Sequence, residues 1–497
     1  MKFLSSETYG GETYRLLPFR FRRLPWDLDR VIVSSAAGQW AFLKHDALSR
    51  CIHRDHPSAR TLDDLESIGV LERTPSKHTF APILSQMRTR LARLPAGPAL
   101  HLFVVSLRCD HSCSYCQVSR QSTDAQQFDM SEITATQAVE RLFDWPSRTL
   151  TVEFQGGEPL LSFSRVKQIV EAVEIRNLAE RRDVRFVIAS TLHHLDDEKL
   201  EFCKAHGVQL STSLDGPADL HDLNRPLPTR DSYARTMEGI AKARAALGHD
   251  AVAALTTLTR ASLSRPEAII DEYVRQGFTS IFLRPLSPYG FARRTQARSS
   301  YSVSEFLAFY RRALKHLVKI NDQGTYIEET YAALILRMLL TPQAHGYVDL
   351  RSPTGAGLGA IVYNYDGKVY PSDEARMLAA MGDDTFCLGT VDQGPSEWYA
   401  SPAMRTILAN GVAESTPACT DCAYLPYCGS DPVDSYARSG DPLAHRPSSA
   451  FCQRQMGMFD LLVELLDQGD ATTRRVLESW AFRLPASEFL PYSAGVP

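Results

Sequence analysis

Between residues 100 and 290, six apolar, β-branched runs alternate with longer amphipathic stretches, and this alternation limits the fold more than any other feature. The runs are LHLFVVSL, TLTVEFQ, VRFVIAST, VQLSTSL, AVAALTTL and SIFLRPL. Between them lie SEITATQAVERLFDW, FSRVKQIVEAVEIRNLAERR and SYARTMEGIAKARAALG, whose apolar spacing suits helices. Strand and helix in strict alternation imply consecutive βα units on a parallel sheet. Helices covering both sheet faces would explain strands that are apolar almost throughout. The expected fold class is therefore α/β, a partial (β/α)6 barrel, with its functional face at the C-terminal ends of the strands.

A second constraint comes from cysteine. The 497-residue chain has ten, at positions 51, 109, 113, 116, 203, 387, 419, 422, 428 and 452. Seven of them fall in two clusters. The opening MKFLSSETYGGETYRLL lacks the apolar core of a signal peptide, and no apolar stretch reaches the ~18–20 residues that span a bilayer. The expected compartment is the cytoplasm, where clustered thiols serve as metal ligands more often than as disulfides. A net charge of −4 gives no nucleic-acid signature.

The first cluster, LRCDHSCSYCQ, follows the first strand run directly and so lies on the first βα loop. Its spacing is C-x3-C-x2-C, through Cys109, Cys113 and Cys116. Three thiolates are one short of a closed tetrahedral zinc site, and His111 is packed too tightly between them to complete one. A cubane iron–sulfur cluster with three thiolate ligands leaves one iron open to another ligand. This loop, at this place in a partial barrel, resembles the radical S-adenosylmethionine (SAM) superfamily. The resemblance implies that the open iron chelates SAM, and Tyr115 stands at the family's aromatic position. It further implies that Gly156, Gly157 and Glu158 of GGEP contact the amino group of SAM. Ser213 of STSLDGP and Arg225 of HDLNRP would hold its carboxylate. Ser190 of IASTL stands near the adenosine, where the family often has Thr-Asn.

The second cluster, CTDCAYLPYCGSDP with Cys452 of SAFCQRQ, spaces four thiols as C-x2-C-x5-C-x23-C. This is similar to the SPASM auxiliary-cluster domain of radical SAM peptide maturases, which carries two 4Fe–4S clusters. Pro432 and Ser372 replace cysteines of that pattern, and both losses fall on the cluster nearer the active site. Cys419, Cys422, Cys428 and Cys452 correspond to the complete ligand set of the farther one. The expected cofactors are SAM and two 4Fe–4S clusters, one SAM-binding and one auxiliary; a structural zinc site on the same four thiolates is the alternative. In sulfatase maturases an aspartate follows the hairpin cysteine and takes the substrate proton. Asp373 of YPSDEARML holds that position, as a catalytic base or as part of a solvated turn. Cys51 and Cys203 read as small buried hydrophobes, and Cys387 stays open.

Five segments follow. Residues 1–95, with a hairpin around Ala37-Gly38 and helices after it, look like a winged-helix-like peptide-recognition domain, which would bind a leader peptide by strand addition. The barrel takes 96–300, a helical bridge 301–348, the SPASM-like domain 349–460, and a C-terminal helix and tail 461–497. Across YRLLPFRFRRLP, CQVSRQSTD, EFQGGEPLL, FLRPLSPYGFA and YNYDGKVYPSDEARMLA, the chain resembles the radical SAM maturase of the His-Xaa-Ser peptide system. That resemblance implies hydrogen abstraction from a side-chain carbon of a ribosomally made precursor peptide, with an intramolecular, cyclophane-type cross-link as the outcome. The partners would be that peptide and a reductant such as flavodoxin or ferredoxin, with neither nucleic acid nor membrane. Epimerisation is one rival outcome. Radical dehydrogenation of a small molecule is another, and it would survive deletion of residues 1–95. A non-catalytic metal scaffold would cleave no SAM.

Overall fold

The structure is a computed structural model that describes residues 14–73, 80–113, 115–122, 124–295, 299–343 and 348–485. The readings of the extreme N-terminus and of the C-terminal tail beyond 485 lie outside these residues. The N-terminal unit holds β1 (Arg15–Leu16), β2 (Phe19–Leu24), β3 (Asp27–Ser35) and β4 (Trp40–Lys44). Helices His45–His53 and Ala59–Ser67 follow, then β5 (Leu71–Glu72), paired antiparallel with β1, and helix Ala81–Leu91. β2, β3 and β4 form an antiparallel sheet, and the β3–β4 hairpin turns at Ala37-Gly38, where Gly38 has φ 82°. In β2 the apolar alternation of FRFRRL does not mark a buried face, since Phe21 is exposed while Arg20 and Arg22 reach Thr420 and Asp460.

Six strand regions then run parallel as expected. They are β6 (Leu100–Ser106), β7 (Thr149–Gly156), β8 (Asp183–Ala189), β9 (Gln209–Ser213), β10 (Val252–Thr257) and a last one split into β11 (Ser280–Ile281) and β12 (Leu283–Arg284). β12 pairs with β10, while β11 turns away to pair with β13 (Glu328–Glu329). The sheet does not stop at β6. β14 (Ala360–Tyr363) adds in parallel on its free side, and β15 (Lys368–Tyr370) and β16 (Gly389–Thr390) extend it to nine strands.

That extension explains which strands are apolar on both faces. On β6, Phe103 and Val105 pack into the main core beneath the barrel helices. Leu102 and Val104 pack into a second core with Val362, Tyr370, Met377 and Leu378 from the C-terminal segment. β7 instead alternates: Leu150, Val152 and Phe154 are fully buried against helices, whereas Thr151, Glu153 and Gln155 line a cavity. The expectation of near-continuous apolar strands therefore holds for β6 and fails for β7, because the lumen facing β7 is a polar cavity.

Helices Val303–Asp322 and Thr330–Leu340 pack with Ala450–Gln468 and Ala471–Phe482 into one helical layer. Ala450–Gln468 runs unbroken through residue 460, where the sequence suggested a boundary. Among the described residues, no helix is long and apolar enough to cross a membrane.

Candidate functional site: a cysteine loop, a shared cavity and a second thiol set

The C-terminal end of β6 leads straight into the cysteine loop, and β7 holds that loop by its backbone. Gly157 N donates to Ser106 O at 2.8 Å and Glu158 N to Arg108 O at 2.7 Å. Only glycines allow this approach. A Cβ on Gly156 would stand 1.8 Å from Ser106 O, and one on Gly157 would stand 2.1 Å from Arg108 O. Gly156 also has φ 149°, which side-chain-bearing residues rarely adopt. Arg108 clamps the loop's base by a bidentate pair to Asp129, at 2.7 and 2.6 Å. Farther along, Phe291 N donates to Cys116 O at 2.8 Å.

The cavity enclosed by these strands measures about 740 Å³. It is lined by Cys113, Tyr115, Cys116, Gly156, Gly157, Ser190, Ser213, Arg225 and Asp373. Residues singled out from six separate sequence stretches thus meet around one space. Tyr115 donates its hydroxyl hydrogen to Asp215 at 2.7 Å and accepts from Arg225 at 3.0 Å. Asp215 is wholly buried, and burial pushes its carboxyl up while Arg225 and Tyr115 pull it down.

Glu158 departs from the role carried over from the family. Its carboxylate does not line the cavity. It is fully buried and accepts from Leu160 N, Ser190 Oγ, Thr191 N and Thr191 Oγ1. With its acceptor positions filled, it braces the end of β7 against the end of β8. Ser190 and Thr191 supply the matching donors, which gives the Ser-Thr pair a structural use.

A histidine cluster beneath the loop was missed. Asp110 Oδ1 meets His111 Nδ1 at 2.8 Å, and its Oδ2 meets His194 Nε2 at 3.2 Å. His193 packs against His111 with ring centroids 4.6 Å apart and the planes tilted by 52°. Burial would raise the Asp110 carboxyl, but the hydrogen bonds to His111 and His194 and the His193 ring nitrogen 3.6 Å away hold it well below the usual carboxylate range. Ser232 links His111 Nε2 at 2.9 Å to His221 Nε2 at 3.2 Å. Asp110 and His111 lie more than 80 residues from His193, His194 and Ser232 in the chain, so no local pattern announces the cluster.

At the other side of the cavity, Asp373 is ion-paired at 3.0 Å to Arg376, which is 2% exposed. Its neighbour Glu374 also lines the cavity; burial first, then the Asp373 charge, pushes its carboxyl up. Ser372, at the position of a lost cysteine, caps helix Asp373–Ala379 by accepting from Ala375 N at 3.3 Å.

The four C-terminal thiols share one neighbourhood, since Cys428 feels the charges of Cys422, Cys452 and Cys419. Cys452 sits in the first turn of Ala450–Gln468, its amide donating to Ser449 Oγ at 3.1 Å. Burial raises every one of these thiols, Cys452 to about 11, and it likewise raises Cys113 to about 11. Beside Cys419 and Cys452 lies the Arg446 guanidinium, 3% exposed, with no hydrogen-bond partner on any of its three nitrogens. The Phe451 ring, 5.9 Å away, is a weak partner, and a buried cation without hydrogen bonds is costly alone. It fits a metal centre whose four thiolates carry surplus negative charge. Both thiol sets suit soft metal ions by donor chemistry. Cys51 and Cys203 are fully buried, apart from either set.

The parallel barrel, with a three-thiol loop on its first strand and a glycine pair seating that loop, defines the class: a radical SAM-type barrel. Residues 103–283 match the radical SAM superfamily. The chain is 32% identical over 199 residues to an uncharacterised protein of Methanothermobacter thermautotrophicus, covering 38% of this chain and 69% of that one. The chain belongs to the radical SAM superfamily and is an enzyme of that type, whose members use SAM and a 4Fe–4S cluster. Among solved structures it is similar in fold to anSMEcpe with bound AdoMet and Cp18Cys peptide. The TM-score is 0.62 at 16% identity, covering 75% of this chain and 100% of that one. Streptococcus suis SuiB bound to its precursor peptide SuiA gives 0.53 at 12%, covering 88% and 100%.

Proposed function

We propose that this radical SAM enzyme modifies a ribosomally made precursor peptide, abstracting hydrogen from a side-chain carbon and forming an intramolecular cross-link of the cyclophane type. The observation that carries this reading is the single cavity of about 740 Å³, which joins Cys113, Cys116 and Arg225 to Asp373 and Glu374. Two structurally similar proteins, anSMEcpe and SuiB, were captured with peptides, which supports a peptide here.

Cys109, Cys113 and Cys116 would hold the SAM-binding 4Fe–4S cluster; with SAM bound, it supplies a carbon-centred radical able to take hydrogen from an unactivated carbon. Arg225 and Ser213 offer a guanidinium and a hydroxyl to the carboxylate of SAM. Tyr115 and Asp215 hold Arg225 in place. Gly156 and Gly157 keep the loop close to β7, and Ser190 lies at the wall expected to face the adenosine. Asp373, oriented by Arg376, would take the proton released on cross-linking. Cys419, Cys422, Cys428 and Cys452 would bind the auxiliary 4Fe–4S cluster, which would offer an acceptor for the electron released with that proton, and Arg446 would balance its charge. The N-terminal unit would hold the leader, and a flavodoxin or ferredoxin would supply electrons.

The test counts iron and zinc per chain and assays dithionite-driven 5′-deoxyadenosine release, anaerobically. It compares wild type with a Cys109/Cys113/Cys116→Ala variant, and adds peptides encoded beside the gene. About eight irons falling to about four, with cleavage lost in the variant, match one open and one closed cubane. Zinc in place of the second set of irons makes the C-terminal site structural. Cleavage with no mass change in any peptide retires the peptide reading.

A further inference from the structure

The end of the cavity away from the cysteine loop is walled by carboxylates that are unevenly paired with cations. Asp373 is spent on Arg376, and Asp434 is held by Arg438 Nε at 2.9 and 2.8 Å. Glu153 and Glu374 share one compensating charge, Arg284. Asp431 caps helix Pro432–Ser439, its Oδ1 accepting from Val433 N and Asp434 N at 3.0 Å each, and no cation pairs with it. Arg93, Arg351 and Arg454 line the cavity as well, yet among the described residues neither Asp431 nor Glu374 forms an ion pair, and Arg438, already held by Asp434, acts on Asp431 only at longer range.

A second observation points to a ligand. Tyr289, in the loop after β12, lines the same cavity and is 1% exposed, yet its hydroxyl has no hydrogen-bond partner. The charges acting on it are those of Asp431, Asp434, Glu374 and Arg438. A buried phenol hydroxyl left unsatisfied among acids is costly unless something fills the space before it. Carboxylates spread around a space suit an extended cation on a flexible stem, which can reach more than one of them.

We propose that this end of the cavity binds a cationic side chain of the substrate, a guanidinium or an ammonium, with Asp431 and Glu374 as counter-charges and the Tyr289 oxygen accepting from its N–H. The assignment deepens the peptide reading and rests on it. Burial pushes the Asp431 carboxyl up to about 8 and raises Glu374, and a bound cation returns both to the charged form. Held there, the cation fixes which neighbouring residue of the peptide lies next to the SAM end, so the acids set the site of modification along the sequence.

The test measures binding, not turnover. Metal-loaded enzyme with SAM and no reductant is titrated with acetyl-Gly-Arg-Gly-amide and with its citrulline counterpart, which keeps the shape and removes the charge. The arginine peptide is expected to bind about tenfold more tightly, the scale of one buried charge interaction. In Asp431→Asn/Glu374→Gln the ratio is expected to fall to about one; asparagine preserves the helix cap, so the fold is retained. Tyr289→Phe is expected to weaken the arginine peptide about threefold and leave citrulline unchanged. Equal binding of the two peptides by wild type, including no binding of either, overturns the assignment. So does a tenfold preference that survives in the double variant, or displacement of the arginine peptide by micromolar Mn²⁺. A charge preference in an enzyme that alters no peptide keeps the cation site and retires the peptide reading, so the two fail separately.

Discussion

Replacing Glu158 by glutamine separates a brace from a ligand contact. The carboxylate accepts from Leu160 N at 2.9 Å and Ser190 Oγ at 2.7 Å on one oxygen, and from Thr191 N at 2.7 Å and Thr191 Oγ1 at 2.8 Å on the other. Glutamine keeps the shape but turns one oxygen into an N–H donor. Each oxygen accepts from one backbone N–H that can only donate, so either amide orientation costs one such bond. With the oxygen on the Thr191 side, the new NH2 faces Leu160 N, an obligate donor, and Ser190 Oγ, which can rotate to accept. One buried donor loses its partner, at about 1–3 kcal/mol, and the surviving charge-assisted bonds become neutral ones. A net loss of about 2–3 kcal/mol follows. At about 2–4 °C per kcal/mol for a domain of this barrel's size, the apo protein should melt about 5–10 °C lower.

Scanning calorimetry on metal-free, SAM-free Glu158→Gln checks this. A contact to the amino group of SAM, the role implied by family resemblance, predicts an unchanged apo melting temperature and a defect only in SAM affinity. A shift under about 2 °C in the apo protein would refute the brace.

Three further outcomes follow from the same geometry. Arg446→Leu removes a buried cation with no hydrogen-bond partner, so the metal-free protein should gain about 1–3 kcal/mol, while the four-thiol site releases its metal to a chelator faster; paired melting and chelator-challenge assays read the two opposite signs. Cys113 and Cys452 are raised from 9.0 to about 11, so folding favours their protonated form. Their contribution is whole below the unfolded thiol value and declines as pH climbs from 9.0 towards 11, so apo melting temperature should fall over that window, and less steeply in Cys113→Ser. Asp460 accepts from Arg22 Nε and Nη2 at 3.0 and 2.8 Å and from Tyr424 at 2.9 Å. Asp460→Ala should cost about 1–3 kcal/mol and raise hydrogen exchange in β2 and β3 above that of the barrel strands.

What the sequence made legible was whatever repeats locally. The six parallel strands announced themselves because each buries at least one full face, and the cysteine loop because its ligands lie within eight residues. GGEP pointed to its place for a physical reason that can now be stated: any Cβ at Gly157 would collide with Arg108 O at 2.1 Å. Contacts between distant segments were not legible. β14 joins β6 by backbone pairing that AIVY alone does not announce, and Asp110 finds His193 and His194 only because β8 ends beside β6's loop. Glu158 shows the opposite failure. Its motif was read correctly as important, but motif alone does not say whether a carboxylate faces the ligand or the neighbouring strand.

The N-terminal unit changes how one rival reading has to be tested. Deleting residues 1–95 looks like a clean probe of leader recognition, since a small-molecule enzyme would keep its activity without them. Yet that unit completes the loop carrying three of the four C-terminal thiols. Arg20 Nε donates to Thr420 O at 2.6 Å, Ser34 Oγ to Ala423 O at 2.7 Å and Arg90 Nη1 to Pro426 O at 2.8 Å, while Tyr427 donates back to Gly38 O at 2.9 Å. Loops with little regular structure depend on such outside partners for their backbone groups. Deletion strips three carbonyls of their donors and uncovers Ala423 and Tyr427, each 1% exposed in the intact chain. Loss of activity on truncation would therefore report a disordered thiol loop as readily as a missing leader site. Substitutions confined to the outer edge of the β2–β3–β4 sheet, which leave Arg20, Ser34 and Arg90 in place, are the variants that isolate recognition.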